Sequence, residues 1–334
     1  MVILSGFGGQ KQSIRARLQP ALRLSAWSII LWATISVRLP AVVCAQTPSA
    51  VAPQTAPTPP AAGLRVTFWN LQWFPGHRPG AGPVAQRNHV AMVLPALARL
   101  RPDVLGLEEV GDLPAAHLLA DRLPGFHVDA CTQFVRGPNQ EPSRQQIVLC
   151  SRLPLLTAGW QTFRADARGT IPRRGFAYAV YQPAPGETVL VYALHLKSNV
   201  PDEPGGEAAN VPMREESIRQ LLVHRRDLLA ASARWGRPRL EIIGGDMNTS
   251  LDDPRFQHEN TLRALLTAED GFRWAWQGCP LPLRLTLPGA GPYPSACFDH
   301  IFYRGADARL LAAELGPPGR GVSDHRPVSA LFGW

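Results

Sequence analysis

Short apolar runs that end on polar side chains recur along this chain, and they restrict its fold more than any single motif does. Residues 65–70 (RVTFWN), 103–109 (DVLGLEE), 147–151, 188–195 and 239–244 have the β-branched and aromatic content of strands, as do 298–303 and 327–332. Between the first two, 86–100 (QRNHVAMVLPALARL) carries apolar residues at helical spacing, with Pro95 placed to kink it. A second helix is expected over 214–235. There Ile218, Leu221, Leu222, Leu228 and Leu229 form an apolar stripe, and Gly236 and Pro238 stop the helix. Strands alternating with helices predict an α/β architecture.

In EIIGGDMNTS (241–250) an apolar run stops on two glycines and then presents Asp246 and Asn248. A turn accounts for that composition, since Gly, Asp and Asn all favour turns. The other strand ends repeat the pattern, however. Asn70 and Glu109 end the first two runs, His195 ends VLVYALH, Asp299 lies within CFDHIFY, and Asp324-His325 precede the last run. Alone, each has an ordinary reading: a cap, an exposed charge beside Glu108, a core histidine, a turn residue. Occurring in order at strand termini, they sit where a rigid scaffold presents chemistry.

The net charge of +8 is largely a property of one end. Residues 1–63 hold Lys11, Arg15, Arg17, Arg23 and Arg38 and no acid, which leaves 29 basic against 26 acidic residues in the remainder. The basic balance is thus weak evidence for nucleic-acid binding. A basic stretch followed by the apolar LSAWSIILWATISV (24–37) and by LPAVVCAQ reads as a secretory signal over 1–45, cleaved after Ala45, with an uncleaved anchor as the alternative. Residues 46–63 are rich in Pro, Ala and Thr and read as a disordered linker. One domain is expected over 64–334, in an exported protein, periplasmic or extracellular. In such a protein Cys131, Cys150, Cys279 and Cys297 suggest disulfides, with the local pairs Cys131–Cys150 and Cys279–Cys297 favoured over buried free thiols.

Six segments in order resemble the motifs of the endonuclease/exonuclease/phosphatase superfamily, and within it the deoxyribonuclease I-like branch. They are WNLQWF (69–74), DVLGLEEV (103–110), YALHLKSN (192–199), GGDMN (244–248), FDHI (298–301) and SDHRPV (323–328). The resemblance implies two packed mixed β-sheets flanked by helices in a four-layer sandwich, with the site at one end. It also implies a metal-dependent phosphoric ester hydrolase. Glu109 would bind Mg²⁺ or Mn²⁺, with Ca²⁺ as an alternative, because hard cations take oxygen ligands. Asp324 would be a second ligand, and Asn70 would hold Glu109 or the ion's water shell. Asp299 would orient His325, Asp246 would take a proton from the attacking water, and Asn248 would donate to a phosphate oxygen. If the backbone stays extended, a spacing of two puts Asp246 and Asn248 on one face, and Gly244 and Gly245 let the chain pass beneath the substrate. His195 would be a general acid or phosphate contact. Arg174, and less well Arg173, match the branch's phosphate-binding arginine, and Lys197 is within reach of the same role.

Three positions depart from relatives. Gln72 stands where the apurinic-endonuclease branch has an acid, CFDHI replaces the Trp-Cys-Asp-Arg string of inositol-phosphate phosphatases, and Gln145 and Gln146 replace the acid that orients the first histidine. The last puts an acid role for His195 in doubt. His77, His89, His117, His127, His224 and His258 have no motif around them and are expected at the surface. The reading is therefore a nuclease acting on nucleic acid, a monomer with no implied protein partner. The alternatives are a phospholipid phosphodiesterase of the sphingomyelinase type, which acts on membrane lipid, or a small-molecule phosphatase. A lipid enzyme needs an exposed apolar rim, for which 272–285 (FRWAWQGCPLPLRL) is the candidate; buried core tryptophans are the competing reading.

Overall fold

Phe68 shows how the layers meet. A Cβ added at Gly106 or at Gly244 would lie 2.3 Å from atoms of the Phe68 ring. These glycines are vacant because an aromatic side chain from a neighbouring strand fills their place. Gly106 and Phe68 belong to one sheet and Gly244 to the other, so the ring is a peg between the two sheets.

The computed structural model describes residues 63–137, 139–200, 206–267, 271–289, 294–317 and 321–334. The expected signal segment and all but the last residue of the expected linker lie outside them. The first half of the chain forms β1 (Leu64–Phe74), α1 (Pro83–Leu100), β2 (Val104–Val110), α2 (Leu113–Ala120), β3 (His127–Cys131), the short β4 (Val135–Arg136) and β5 (Glu141–Pro142), β6 (Gln146–Ser151) and β7 (Leu155–Thr162). The second half forms β8 (Gly175–Ala184), β9 (Glu187–His195), α3 (Asn210–Ala230), β10 (Leu240–Asp246), α4 (Arg263–Thr267), β11 (Arg273–Trp274), β12 (Asp299–Arg304), β13 (Arg309–Leu315) and β14 (Val328–Gly333). One mixed sheet has the order β13-β14-β1-β2-β6-β3, the other β11-β12-β10-β9-β8-β7, and β4 pairs with β5. The expected two-sheet α/β architecture is therefore what the chain adopts.

Alternation along β1 separates the layers. Val66 and Phe68 face the core between the sheets, whereas Trp69 and Leu71 pack outward against Val93 and Leu97 of α1 and Ala116 and Leu119 of α2. On the far side α3 buries Ile218 and Leu221, and Arg225 of α3 reaches Glu241 of β10 in a buried ion pair. The helix runs through Pro95 in α1, and α3 starts at Asn210 and ends at Ala230, four and five residues before the bounds expected from 214–235. No described helix is long and apolar enough to cross a membrane.

Two sequence expectations change here, and one open alternative is decided. Cys131, Cys150 and Cys297 are free thiols, so neither expected disulfide pair forms. Register explains the first case: Cys131 lies opposite Val148, and Cys150 opposite Val128. Two positions along a strand, added to the interstrand gap, place the Cα atoms about 8 Å apart, beyond disulfide reach. His89 is buried rather than exposed; its Nδ1 accepts from the Gly76 amide at 2.9 Å and its Nε2 meets the Val322 carbonyl at 2.7 Å. Trp274 and Trp276 are core residues, 5% and 1% exposed, so they form no apolar rim.

Overpacking a filled layer costs about 1–3 kcal/mol. Gly244→Ala and Gly106→Ala should each lower the unfolding free energy by at least that range, read from urea melts. A stability equal to wild type for both would show that the Phe68 peg is not tight.

Candidate active site

Strand register gathers the polar ends. In the first sheet β1 and β2 run parallel with Asn70 beside Glu108, and in the second β10 sets Asp246 beside His195 of parallel β9 and beside Asp299 of antiparallel β12. The turn before β14 comes back to β1, where Ser323 Oγ donates to the Asn70 carbonyl at 2.6 Å and accepts from the His325 amide at 3.0 Å. Trp69 Nε1 donates to the His325 carbonyl at 3.0 Å. Both sheets thus deliver side chains to one end of the layer between them.

His325 and Asp299 form the closest pair, with Nδ1 2.8 Å from Oδ2. His325 Nε2 lies 3.7 Å from Asp246 Oδ2. Burial works against charge on this imidazole, but the facing carboxylates of Asp299 and Asp246 outweigh it and hold the ring's proton affinity well above the usual histidine value. Asp246 is fixed by Asn70 Nδ2 at 3.0 Å and by the Asn248 amide at 3.0 Å. Its carboxyl is pushed up to about 7, first by burial and then by Asp299, with His325 pulling the other way.

Glu109 accepts from the Trp73 amide at 3.0 Å and from Gln145 Nε2 at 2.9 Å. Its backbone is left-handed, with φ 58°, and that turn breaks strand alternation. Consecutive acids can then both serve this end of the core: Glu108 points inward toward Gly245, whose added Cβ would lie 2.7 Å from Glu108 Oε1, and Glu109 is re-aimed toward the mouth. Glu108 is fully buried, and burial, Asp299 and Asp246 hold its carboxyl well above the ordinary glutamate range. The sequence reading passed over Glu108; the signal was there, an acid in phase with inward-facing Gly106. Gln72, Trp73, Arg174 and Asn248 are also left-handed, so five of the eight positive-φ non-glycine residues among the described residues border this site. Backbone strain of this kind concentrates where function over-determines geometry.

Several expected roles change in detail. The chain is not extended at Asn248, where φ is 52°; the Asn248 side chain donates to the Leu196 carbonyl at 3.3 Å instead of lying parallel to Asp246. Gly244 and Gly245 admit Phe68 and Glu108, not a substrate. His195 has its Nε2 3.5 Å from Asp246 Oδ2 and 4.0 Å from Glu109 Oε1, and its buried Nδ1 has no hydrogen-bond partner. Burial, then the charges of Arg174 and His325, keep its proton affinity well below normal, so it sits neutral. Gln145, in the place of an orienting acid, binds Glu109 and not His195. Arg174 Nη1 donates to the Leu196 carbonyl at 2.9 Å and its Nη2 to Gln145 Oε1 at 2.9 Å, which ties it into the wall of the site. Arg173 is exposed beside it. Lys197 is buried, its Nζ on the Ser198 and Val200 carbonyls, so it holds its own loop.

The donor set fits a hard divalent cation. Glu108, Glu109, Asp246 and Asp299 bring four carboxyl groups to one buried place, and both oxygens of Glu108 and Oδ1 of Asp299 have no hydrogen-bond partner. Asp246, Asp299 and His325 offer ligand atoms within 4.8 Å of one another. That trio is nevertheless the less suitable holder, because an imidazole kept protonated between two acids has no lone pair to give. Glu109 keeps free lone pairs, and Asp324, exposed at the mouth, bears on it electrostatically. Asn70 has both amide atoms engaged, on Asp246 and on the Gln72 amide, so it braces the acids.

Comparison with known proteins agrees with this geometry. A profile of the endonuclease/exonuclease/phosphatase family matches residues 67–325. No curated protein sequence matches. Among solved structures, the human Nocturnin catalytic domain with bound sulfate superposes with a TM-score of 0.57 at 16% identity, covering 81% of this chain and 93% of that one. An endonuclease/exonuclease/phosphatase from Beutenbergia cavernae gives 0.56 at 21% identity, covering 82% and 72%. Zebrafish (D. rerio) TDP2 with a single-stranded DNA product gives 0.54 at 17% identity, covering 82% and 100%. At these identities the solved structures establish the shared fold, and the profile match over most of the chain carries the assignment. This chain belongs to the endonuclease/exonuclease/phosphatase family, whose members hydrolyse phosphoester bonds.

Proposed function

We propose that this protein is an exported, divalent-metal-dependent phosphodiesterase that cuts nucleic acid by in-line attack of water. The observation that carries the reading is the arrangement of Asp246 3.7 Å from a His325 that Asp299 holds at 2.8 Å. A carboxyl pushed up to about 7 is matched to taking a proton from water near neutral pH. The Nε2–H of the imidazolium can donate to a phosphate oxygen, where negative charge grows during the reaction. Glu109 and Asp324 would hold Mg²⁺ or Mn²⁺, which supplies charge neutralisation at the phosphoryl oxygens when bound. Neutral His195 acts as a hydrogen-bonding wall beside Asp246 rather than as an acid. Asn248 keeps Asp246 aimed through its backbone amide.

Nucleic acid is favoured over lipid because the tryptophans of 272–285 are buried, which removes them as a candidate membrane-contacting rim. The zebrafish TDP2 neighbour is a protein of this fold complexed with a single-stranded DNA product. Export rests on the basic and apolar composition of 1–45.

The test offers the protein plasmid DNA, RNA, sphingomyelin and p-nitrophenyl phosphate esters, each with Mg²⁺ or with EDTA. DNA or RNA cleavage that EDTA abolishes is expected; lipid hydrolysis without nucleic-acid cleavage would replace this reading. His325→Ala should lower kcat by about a hundredfold or more while circular dichroism still shows a folded protein, and a fully active variant would remove the mechanism. On bis-p-nitrophenyl phosphate, kcat/KM should rise with pH around a midpoint of about 7 as Asp246 loses its proton, and fall at alkaline pH as His325 does. A profile flat across neutrality would show that Asp246 is not the base.

A further inference from the structure

The site continues sideways into a groove. About 700 Å³ of space lies between the turn that follows β1 and the β4–β5 hairpin, lined by Trp73, Pro79, Arg136, Asn139, Pro142 and Arg144 among others. Both walls are fastened to the same acid. The Trp73 amide is on Glu109 Oε2 at 3.0 Å, and Gln145, just after the hairpin, is on Glu109 Oε1 at 2.9 Å. The next residue clamps the base of the hairpin: Gln146 Oε1 accepts from the Phe134 amide at 2.8 Å, and its Nε2 donates to the Ser143 carbonyl at 2.7 Å. The two glutamines that stand where an orienting acid was expected therefore join the hairpin to Glu109. The groove is a preorganised extension of the site, and its walls cannot shift without moving Glu109.

Its chemistry is mixed. Trp73 is half-buried and reaches its place through left-handed backbone at both Gln72 and Trp73, with φ 47° and 56°. Two prolines lie in the same lining, so the interior offers flat apolar surface. The rim carries Arg136 and Arg144, both exposed. Glu141, opposite Arg136 in hairpin register, also lines the groove, and Asp112 lies 3.9 Å from Arg144; an exposed pair like the latter is weak and gives way to a better anion.

We infer that this groove seats the nucleotide adjoining the cut in an unpaired strand. The base stacks on Trp73, and Arg136 and Arg144 contact the backbone phosphates. Aromatic stacking is available to every base and so gives grip without sequence preference, and guanidinium forks suit phosphate oxygens. A base still stacked in a duplex cannot present its face to Trp73, so single strands are preferred. This inference rests on the nucleic-acid reading above and specifies the form of substrate within it.

The test uses the full chain with Mg²⁺ and short single-stranded and duplex DNA of the same sequence. Trp73→Ala should raise KM for the single strand roughly five- to a hundredfold, the range of one lost base stack, with Trp73→Phe recovering most of it. The loss should fall on KM rather than kcat. Arg136→Ala combined with Arg144→Ala should raise KM and flatten the plot of log kcat/KM against log salt by about 1.4, two phosphate contacts on a single strand. Arg309→Ala, an exposed arginine of the β13 strand, serves as the control and should match wild type. If wild type cuts single strands but both groove variants keep its KM and salt slope, the groove assignment is wrong while the nuclease reading stands. If wild type cuts duplex as readily as single strands, the single-strand preference is wrong. If wild type hydrolyses sphingomyelin and no nucleic acid, both readings fall together. The arginine variant decides the matter even where Trp73→Ala does not fold.

Discussion

Four carboxyl groups, from Glu108, Glu109, Asp246 and Asp299, converge at the buried end of the layer between two sheets, and the rest of the architecture answers to that crowding. Buried charge is costly unless it is paired, neutralised or given a cation. The first two remedies are present. His325 pairs with Asp299, Asn70 and the Asn248 amide hydrogen-bond Asp246, and the Trp73 amide and Gln145 hydrogen-bond Glu109. Glu108, which has no such partner, is pushed by its surroundings toward the neutral acid. What these groups leave unbalanced lies on the side of Glu109 and Asp324, and there a hard cation fits. The same crowding places Asp246 where it can exchange a proton near neutral pH.

Holding acids this close requires the backbone to depart from regular strand geometry. Left-handed residues at Glu109 and Asn248 end β2 and β10 with turns that re-aim side chains and amides, and Gly245 opens the space that Glu108 enters. The core below stays regular because the Phe68 ring, seated against two glycines, fixes the spacing of the sheets. Strain at the rim thus stands on a tightly packed base. The hydrogen bonds at the rim also run outward, from Glu109 through Gln145 to Arg174 on one side and to the β4–β5 hairpin on the other. The cluster of acids and the groove beside it belong to one connected framework.

Much of this was legible in the residues. A strand rich in Val, Ile and aromatics that ends on Asp, Asn, Glu or His has a local cause for its shape and a polar group at its tip, and both are visible without coordinates. The alternation that sorts Val66 and Phe68 from Trp69 and Leu71 is equally local. Other features were hidden for physical reasons. Glu108 drew no role beside Glu109 because alternation predicts opposite faces for consecutive residues, and only the φ of Glu109 cancels it. Lys197 resembled a phosphate ligand because nothing local reveals that its ammonium turns back onto the carbonyls of its own loop. The cysteine pairs were argued from proximity in sequence, whereas disulfide geometry depends on register, and register set Cys131 and Cys150 too far apart.

The chain by itself determined which side chains could do chemistry, which segments would be strands, and the order in which they occur, since those depend on residue type and on periods of two or 3.6 residues. Tertiary structure decided which of those side chains meet and in what protonation state. Asn70 finds Asp246 across 176 positions and Trp69 finds the His325 carbonyl across 256. No local rule sets such contacts. They follow from the pairing register of two sheets and from the peg between them, and the electrostatics of every acid at the site follow from how deeply that packing buries it.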